Sequence, residues 1–476
     1  MCIITFAMKE KKTMSKLGFI RRFEPITPSR LISKAIETEE WIEQYAHEEG
    51  DTKYWDVLPG KEQEGSFLLK ETGIYGGAPG IALFNLRLYQ VTNEEKYLQN
   101  AKAGVNYAIS RYKGKEDFIA HTDFLPGASI GFLNGPAGGA FVASRLYEIT
   151  EEERYKEYAL RVTDDLISCA KEEDGKLFWY GDYGIIGEGS LILYLVDAYE
   201  TYGEKRFLEA AYKGAKYIAS RREEAPVGGY RWYAMDTEKF PTIGKAGGYF
   251  PGFEYGAAGS GYILATVYVH TKDEELLETA IGAATYIQNV AVYSDDREAA
   301  LVPYNDTYLK GLYYLGVCQG PVGTSRLFYK LYDITVDETY KKFILQLTNG
   351  ILATGAPAKH SEGYWRTNCY CCGAAGMLEH FINIHKLTGN GEYLKAAKEA
   401  AETLIGESTH DIIKNHTNWY TQWNRHEPWK SEAYTGLYHG SAGCASSLVA
   451  LAQYLLGGTY GPSYLEDPYR NLYVRI

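Results

Sequence analysis

The stretch NCYCCGAAG, residues 368–376, places three cysteines in four positions directly ahead of a Gly-x-x-Gly, in a chain of 476 residues with only seven cysteines. A fourth, Cys318, stands ahead of another Gly-x-x-Gly in CQGPVG, 318–323. Thiols clustered in a cysteine-poor chain, odd in number, fit a reducing compartment and a metal or thiol site better than a disulfide framework. Three thiolates drawn from two loops suit Zn2+, which prefers tetrahedral sulfur and nitrogen ligands. Three protein ligands leave a fourth position open, as catalytic zinc requires. The competing readings are inert buried cysteines, which are common in cores, and an oxidised pair.

A repeat connects Cys318 to the later cysteines. Gly-x-x-Gly occurs in YGGAPG (75–80), LNGPAG (133–138), DYGIIG (182–187), EYGAAG (254–259), CQGPVG (318–323), CCGAAG (371–376) and YHGSAG (438–443). The last glycines run from 80 to 443, which is 363 residues in six steps, or about 60 per unit. Such self-similarity is the mark of a repeat architecture. Each motif opens a helix that is small at its start, with Tyr and Leu following at three- and four-residue spacing. Tyr89, Tyr147, Tyr268 and Tyr332 share the ninth place after the last glycine. A second helix with an acidic start follows, as at 93–112, 151–170, 203–220 and 272–290; the helix macrodipole favours negative charge there. The seventh motif helix, 444–456, has no such follower, and the helix at 28–50 has no predecessor. A closed ring in which these two complete one hairpin satisfies both. The expected fold is therefore all-α: an α/α toroid of seven helical hairpins, one domain over 26–476 behind an N-terminal extension, 1–25. The Gly-x-x-Gly motifs gather on one rim, with the inserts at 222–251 and 291–316 folded over it.

Equivalent positions in a ring face a common centre. Two residues ahead of the turn glycine stand Leu133, Asp182, Glu254, Cys318, Cys371 and Tyr438 in units two to seven; one residue ahead stand Asn134, Tyr183, Tyr255, Gln319, Cys372 and His439. Cys318, Cys371 and Cys372 thus converge as candidate ligands of one zinc ion. Cys369 falls off that register and is not expected to be a ligand. Tyr255, His439 and Asp182 hold ring positions from which a proton could be handled. The plainer reading is packing for Tyr255, a hydrogen-bonded rim histidine for His439 and a solvated acid for Asp182.

At these residues the sequence resembles the lanthionine synthetase C-like family, over about 28–456. The resemblance implies an α/α toroid with a central zinc, held by a Cys before the fifth Gly-x-x-Gly and a Cys-His before the sixth. GVCQGPVG supplies Cys318; CCGAAG supplies Cys371, with Cys372 in the histidine's place. The family's proton-handling histidine precedes the fourth motif, where this chain has Tyr255, and Asp182 is the candidate for its aspartate. The implied reaction is addition of a cysteine thiol to dehydroalanine or dehydrobutyrine, forming thioether rings in a dehydrated precursor peptide supplied by a separate dehydratase. Within the same family, the alternatives are addition of glutathione to dehydro residues and a non-catalytic zinc scaffold. A carbohydrate-active α/α toroid could use Asp182 and Glu254 as paired carboxylates, but it has no use for the three cysteines.

The net charge of −12 argues against nucleic-acid and anionic-lipid surfaces. No apolar run approaches the ~18 residues of a membrane span, and the opening MCIITFAMKEKK is not a secretory signal. A cytoplasmic protein is expected. The 43 tyrosines are expected to serve core packing, or to line a cavity that grips a peptide.

Overall fold

The computed structural model describes residues 25–60, 70–120, 126–181, 183–234, 247–307, 310–422, 429–457 and 461–469. Each Gly-x-x-Gly motif leads into a helix of 15 residues: Ala78–Thr92, Pro136–Thr150, Glu188–Tyr202, Ala257–Thr271, Pro321–Thr335, Ala374–Thr388 and Ser441–Leu455. These helices are buried almost all round; in the first, every residue from Ala78 to Leu88 is buried. A helix with no polar face must be enclosed on all sides. Here each inner helix touches the next, and the seventh touches the first.

The outer helices are Glu95–Arg111, Glu153–Ser168, Lys205–Ser220, Glu274–Val290, Glu338–Ala353 and Gly391–Glu407. They bury one stripe only, such as Phe207, Ala210, Ala211, Gly214, Ala215 and Ile218. The outer partner of the seventh inner helix is Pro28–Glu43, from the start of the chain. The ring therefore closes as a toroid of seven hairpins, with the first and last helices completing one of them.

The first six inner helices each reach their outer partner through a two-residue link whose first residue is left-handed: Asn93, Glu151, Gly203, Lys272, Val336 and Gly389, at φ between 56° and 74°. The N–H of each returns to a carbonyl four residues back, from Tyr89, Tyr147, Tyr199, Tyr268, Tyr332 and His385 in turn. Any residue supplies that carbonyl, as His385 does, so the bond itself does not select the repeated tyrosine. In three units its hydroxyl also crosses the link to the first glutamate of the outer helix, Tyr147 to Glu153, Tyr268 to Glu274 and Tyr332 to Glu338, at 3.2, 3.3 and 3.0 Å.

Short β-hairpins decorate the ring, which the all-α reading did not include. Five follow outer helices: Ala46–Glu49 with Thr52–Trp55, Lys171–Glu173 with Lys176–Phe178, Glu223–Glu224 with Tyr230–Arg231, Val292–Tyr293 with Ala300–Leu301, and Thr409–Asp411 with His416–Asn418. In the second, Asp174 and Gly175 take φ of 50° and 76°, the paired left-handed residues that two-residue hairpins need. The insert at 291–316 does reach the rim: Tyr304 is buried, and its hydroxyl lies 3.0 Å from that of Tyr255. Of the insert at 222–251, residues 235–246 lie outside the described residues, as does almost all of the expected extension 1–25.

Val336 is the β-branched member of the left-handed set, at φ 58° and 72% exposed. A β-carbon in that region costs about 1–2 kcal/mol, and so exposed a side chain returns little by packing. Val336→Asn, which copies Asn93 of the first unit, is expected to raise stability by about 1 kcal/mol, read from the chemical-denaturation midpoint. An unchanged or lowered midpoint would show that the link carries no strain.

Candidate metal centre

The motif turns are tied to one another around the rim through their backbones. Tyr75 N–H donates to Leu133 O at 2.9 Å, Ile186 to Glu254 at 2.8 Å, and Glu254 to Cys318 at 2.6 Å. Cys318 donates to Cys371 at 3.1 Å, Cys371 to Tyr438 at 2.9 Å, and Tyr438 back to Tyr75 at 2.9 Å. The second unit deviates: Phe132 N–H donates to the Ser190 hydroxyl at 3.1 Å. Glycines permit the approach. A β-carbon on Gly316 would sit 2.7 Å from the Cys372 α-carbon, and one on Gly436 only 2.4 Å from the Gly76 α-carbon. These contacts are with backbone, so no side chain can be accommodated there.

This ring holds Cys318 against Cys371 although 53 residues separate them. The Cys318 sulfur lies 3.1 Å from that of Cys372, Cys372 lies 3.6 Å from Cys371, and all three sulfurs lie within 4.8 Å of one another. Cys318 and Cys371 are buried, and Cys372 is half-buried. Among the described residues this is the one group of His, Cys, Asp and Glu side chains close enough to share an ion. Tetrahedral Zn–S bonds of about 2.3 Å set sulfurs about 3.8 Å apart, so the cluster has the right size for such an ion with slight expansion.

The electrostatics also favour a cation. Hydrogen bonds from Cys318 and Cys372 hold the Cys371 thiol well below the usual range, helped by the Tyr75 hydroxyl and by His439. The other two thiols pay for this: burial first pushes Cys318 well up, and hydrogen bonding to Cys318 does the same to Cys372. A divalent soft ion would let all three ionise, because thiolate is the form that binds metal. The donor set therefore fits zinc.

Cys369 lies outside the three-sulfur group but beside it. Its sulfur lies 3.0 Å from the Thr367 hydroxyl and accepts the Cys372 N–H at 3.4 Å. It is on a register that the Gly-x-x-Gly spacing does not display. Four residues ahead of the helix-capping glycine five units carry Gly73, Gly131, Gly252, Gly316 and Gly436; in the sixth unit that place is Cys369, fully buried.

The remaining ring positions fall as follows. Glu254 Oε1 lies 3.8 Å from the Cys371 sulfur; shielding from water, then Cys371, holds its carboxyl well above the ordinary carboxylate range. Tyr255 packs edge-on against Phe250 at 5.0 Å and meets the Tyr304 hydroxyl; burial first, then Tyr304, keeps it a phenol. His439 is buried between Tyr75 and Tyr434, with ring centroids at 6.5 and 5.1 Å, near enough to act on Cys371. Asp182 lies outside the described residues. The register read for its unit needs correction, however. The helix is capped by Gly187, not Gly184, so Ile185 and Ile186 directly precede it. Gly184, at φ 85°, takes the tight approach to Glu254 and Tyr255 in a turn one residue shorter than the others. Glu188 braces the preceding loop by accepting the N–H groups of Trp179, Tyr180 and Gly181.

With this geometry in place, the chain can be set beside known proteins. Residues 70–453 match the family described as lanthionine synthetase C-like protein. Among solved structures, nisin cyclase superposes with a TM-score of 0.57 at 16% identity, over 81% of this chain and 89% of that one. An unsaturated glucuronyl hydrolase specific for heparin gives 0.44 at 12% identity, over 90% of this chain and 97% of that one. D-mannose isomerase gives 0.44 at 15% identity, over 71% and 89%. These two superpositions are too loose to argue from, and the likeness to nisin cyclase speaks for the fold alone. No curated protein matches the sequence. The family match spans most of the chain and takes in every Gly-x-x-Gly unit, and on it the chain belongs to the lanthionine synthetase C-like family.

Proposed function

We propose that the chain is a zinc-dependent peptide cyclase, with Cys318, Cys371 and Cys372 as the metal ligands. Its reaction is addition of a cysteine thiol across dehydroalanine or dehydrobutyrine in a ribosomally made peptide, dehydrated beforehand by a separate enzyme. The observation that carries this reading is the convergence of three sulfurs within 4.8 Å at one rim position of a toroid from this family. Bound zinc would supply the Lewis acidity that makes an incoming thiol a thiolate at neutral pH.

The chain's own groups complete the proton balance. The thiol sulfur forms the new C–S bond at the β-carbon, the double-bond pair moves toward the carbonyl, and the α-carbon then takes a proton. The net change is addition of S–H, with no oxidant or reductant. In this reading His439, which acts on Cys371, takes the thiol proton, and Tyr255, kept a phenol by burial and its neighbour Tyr304, delivers one. Glu254, held as the neutral acid 3.8 Å from Cys371, avoids adding charge to the thiolates. Asp182 is proposed as a further proton-handling group on the sequence alone.

The purified chain is expected to carry one zinc per molecule by metal analysis. Cys318→Ala and Cys371→Ala should each lose it, whereas Cys369→Ala should retain it; zinc surviving both of the first two changes would remove the assignment. With a dehydrated, cysteine-containing peptide, mass spectrometry should show a product of unchanged mass that resists thiol alkylation. Cys371→Ala should slow its formation by more than about 100-fold, beyond the range typical of outer-shell partners. A chain that instead joins added glutathione to the peptide, raising its mass, would point to intermolecular transfer. Tyr255→Phe should keep its zinc but cyclise about 10²–10⁴-fold more slowly, the usual worth of a positioned acid; an undiminished rate would assign the proton elsewhere.

A further inference from the structure

The segment 461–469 follows the seventh inner helix and runs into the middle of the ring. Tyr464, Leu465, Glu466, Asp467 and Tyr469 are each at most 5% exposed. Their contacts come from all sides of the toroid. The Arg87 guanidinium, in the first unit, lies over the Tyr464 ring at 4.9 Å. The Tyr469 hydroxyl reaches Ser325 of the fifth unit at 3.4 Å. Leu465 and Pro468 share a cavity with Leu193 of the third unit and Tyr262 of the fourth. Only a segment on the toroid axis can meet all of these helices.

At its upper end the segment touches the two tyrosines that frame Cys371. Tyr464 stacks on Tyr370 with centroids 3.8 Å apart and meets Tyr438 edge-on at 5.3 Å. Glu466 accepts a hydrogen bond from the Tyr438 hydroxyl at 2.9 Å and faces Arg326 at 3.4 Å. Arg326 in turn donates to the Tyr370 hydroxyl at 2.7 Å and covers the Phe253 ring at 5.1 Å. Tyr370 directly precedes Cys371, and the Tyr438 carbonyl accepts the Cys371 N–H. One buried carboxylate thus reaches both sides of the central cysteine, each through a single intervening residue or pair.

We propose that Glu466 of this axial segment is a positioning residue of the metal centre which, with Tyr464, orients Cys371 by fixing Tyr370 and Tyr438. Outer-shell groups of this kind set ligand orientation and are typically worth 10–100-fold in metal affinity. The proposal rests on the reading that the cysteine cluster holds a metal.

Co2+ titration of the full chain tests it, because the sulfur-to-cobalt absorption reports the arrangement of the thiolates directly. Glu466→Ala is expected to weaken Co2+ binding by about 10–100-fold and to alter that absorption. Glu466→Gln, which keeps an acceptor for Tyr438, should recover most of both. Tyr438→Phe should reproduce the loss with the segment untouched, and it decides the matter should Glu466→Ala fail to fold. Tyr469→Phe loosens the same segment at its contact with Ser325 and should leave spectrum and affinity unchanged. Wild-type spectrum and affinity in both Glu466→Ala and Tyr438→Phe would overturn the proposal, as would an equal loss in Tyr469→Phe, which would reduce the segment to packing. A wild-type chain that takes up no Co2+ would overturn the metal reading, and this proposal with it.

Discussion

The structure depends on the backbone hydrogen bonds that join the rim turns. At six of the seven joints the N–H of one turn meets a carbonyl of its neighbour, and the last such bond, Tyr438 to Tyr75, closes the circle; from the second unit to the third, Phe132 N–H meets the Ser190 hydroxyl instead. This bonding needs adjacent turns in near contact, hence glycine at Gly316 and Gly436, where a β-carbon would overlap backbone of the next unit. Once the turns are locked, a side chain at the bonded position has little choice of direction. Cys318 and Cys371 become partners across 53 residues because they hold the same place in consecutive units. The cysteine cluster is a product of register, and Cys369, which is off that register, lies outside the three-sulfur group.

The same geometry concentrates charge. Three thiols, Glu254 and Glu466 lie around one shielded centre, and among the groups described around it Arg326 is the cation in contact, paired with Glu466 and Tyr370. Further down the inner helices, Arg87 and Glu379 form a fully buried pair at 2.7 Å. Such pairs contribute little net stability, but breaking one leaves an uncompensated charge inside the protein. Burial first for Cys318, and hydrogen bonding to Cys318 for Cys372, push these two thiols up, and a divalent cation at the cysteines would oppose both shifts.

Much of this was legible in the sequence, because a repeat displays its own architecture. The seven motifs, the small-residue helix starts and the two unpaired terminal helices led to the closed ring, and the shared position of Cys318 and Cys371 led to their contact. Reading failed where the repeat slips or pauses. In the third unit Gly184-x-x-Gly187 imitates the motif, but one deleted residue moves the helix cap to Gly187, which only the backbone reveals. The glycine rung that Cys369 interrupts lies ahead of the repeated Gly-x-x-Gly and is not displayed by it. The β-hairpins escaped because strands of two to four residues carry no periodicity, although Gly50-Asp51 and Asp174-Gly175 are two-residue turn signatures. GPSYLEDPY, at 461–469, is short, mixed and acidic, and shows no periodicity. Its burial depends on Arg87, Ser325 and Arg326, whose distance along the chain gives no local sign of the contact.

The central claim is that one zinc is held by the sulfurs of Cys318, Cys371 and Cys372, and X-ray absorption at the zinc edge of the purified chain tests it most directly. The account predicts three sulfur neighbours at about 2.3 Å with one lighter atom completing the tetrahedron. Two sulfurs with an imidazole nitrogen would contradict it: Cys372 would then point away from the metal, with His439 in its place.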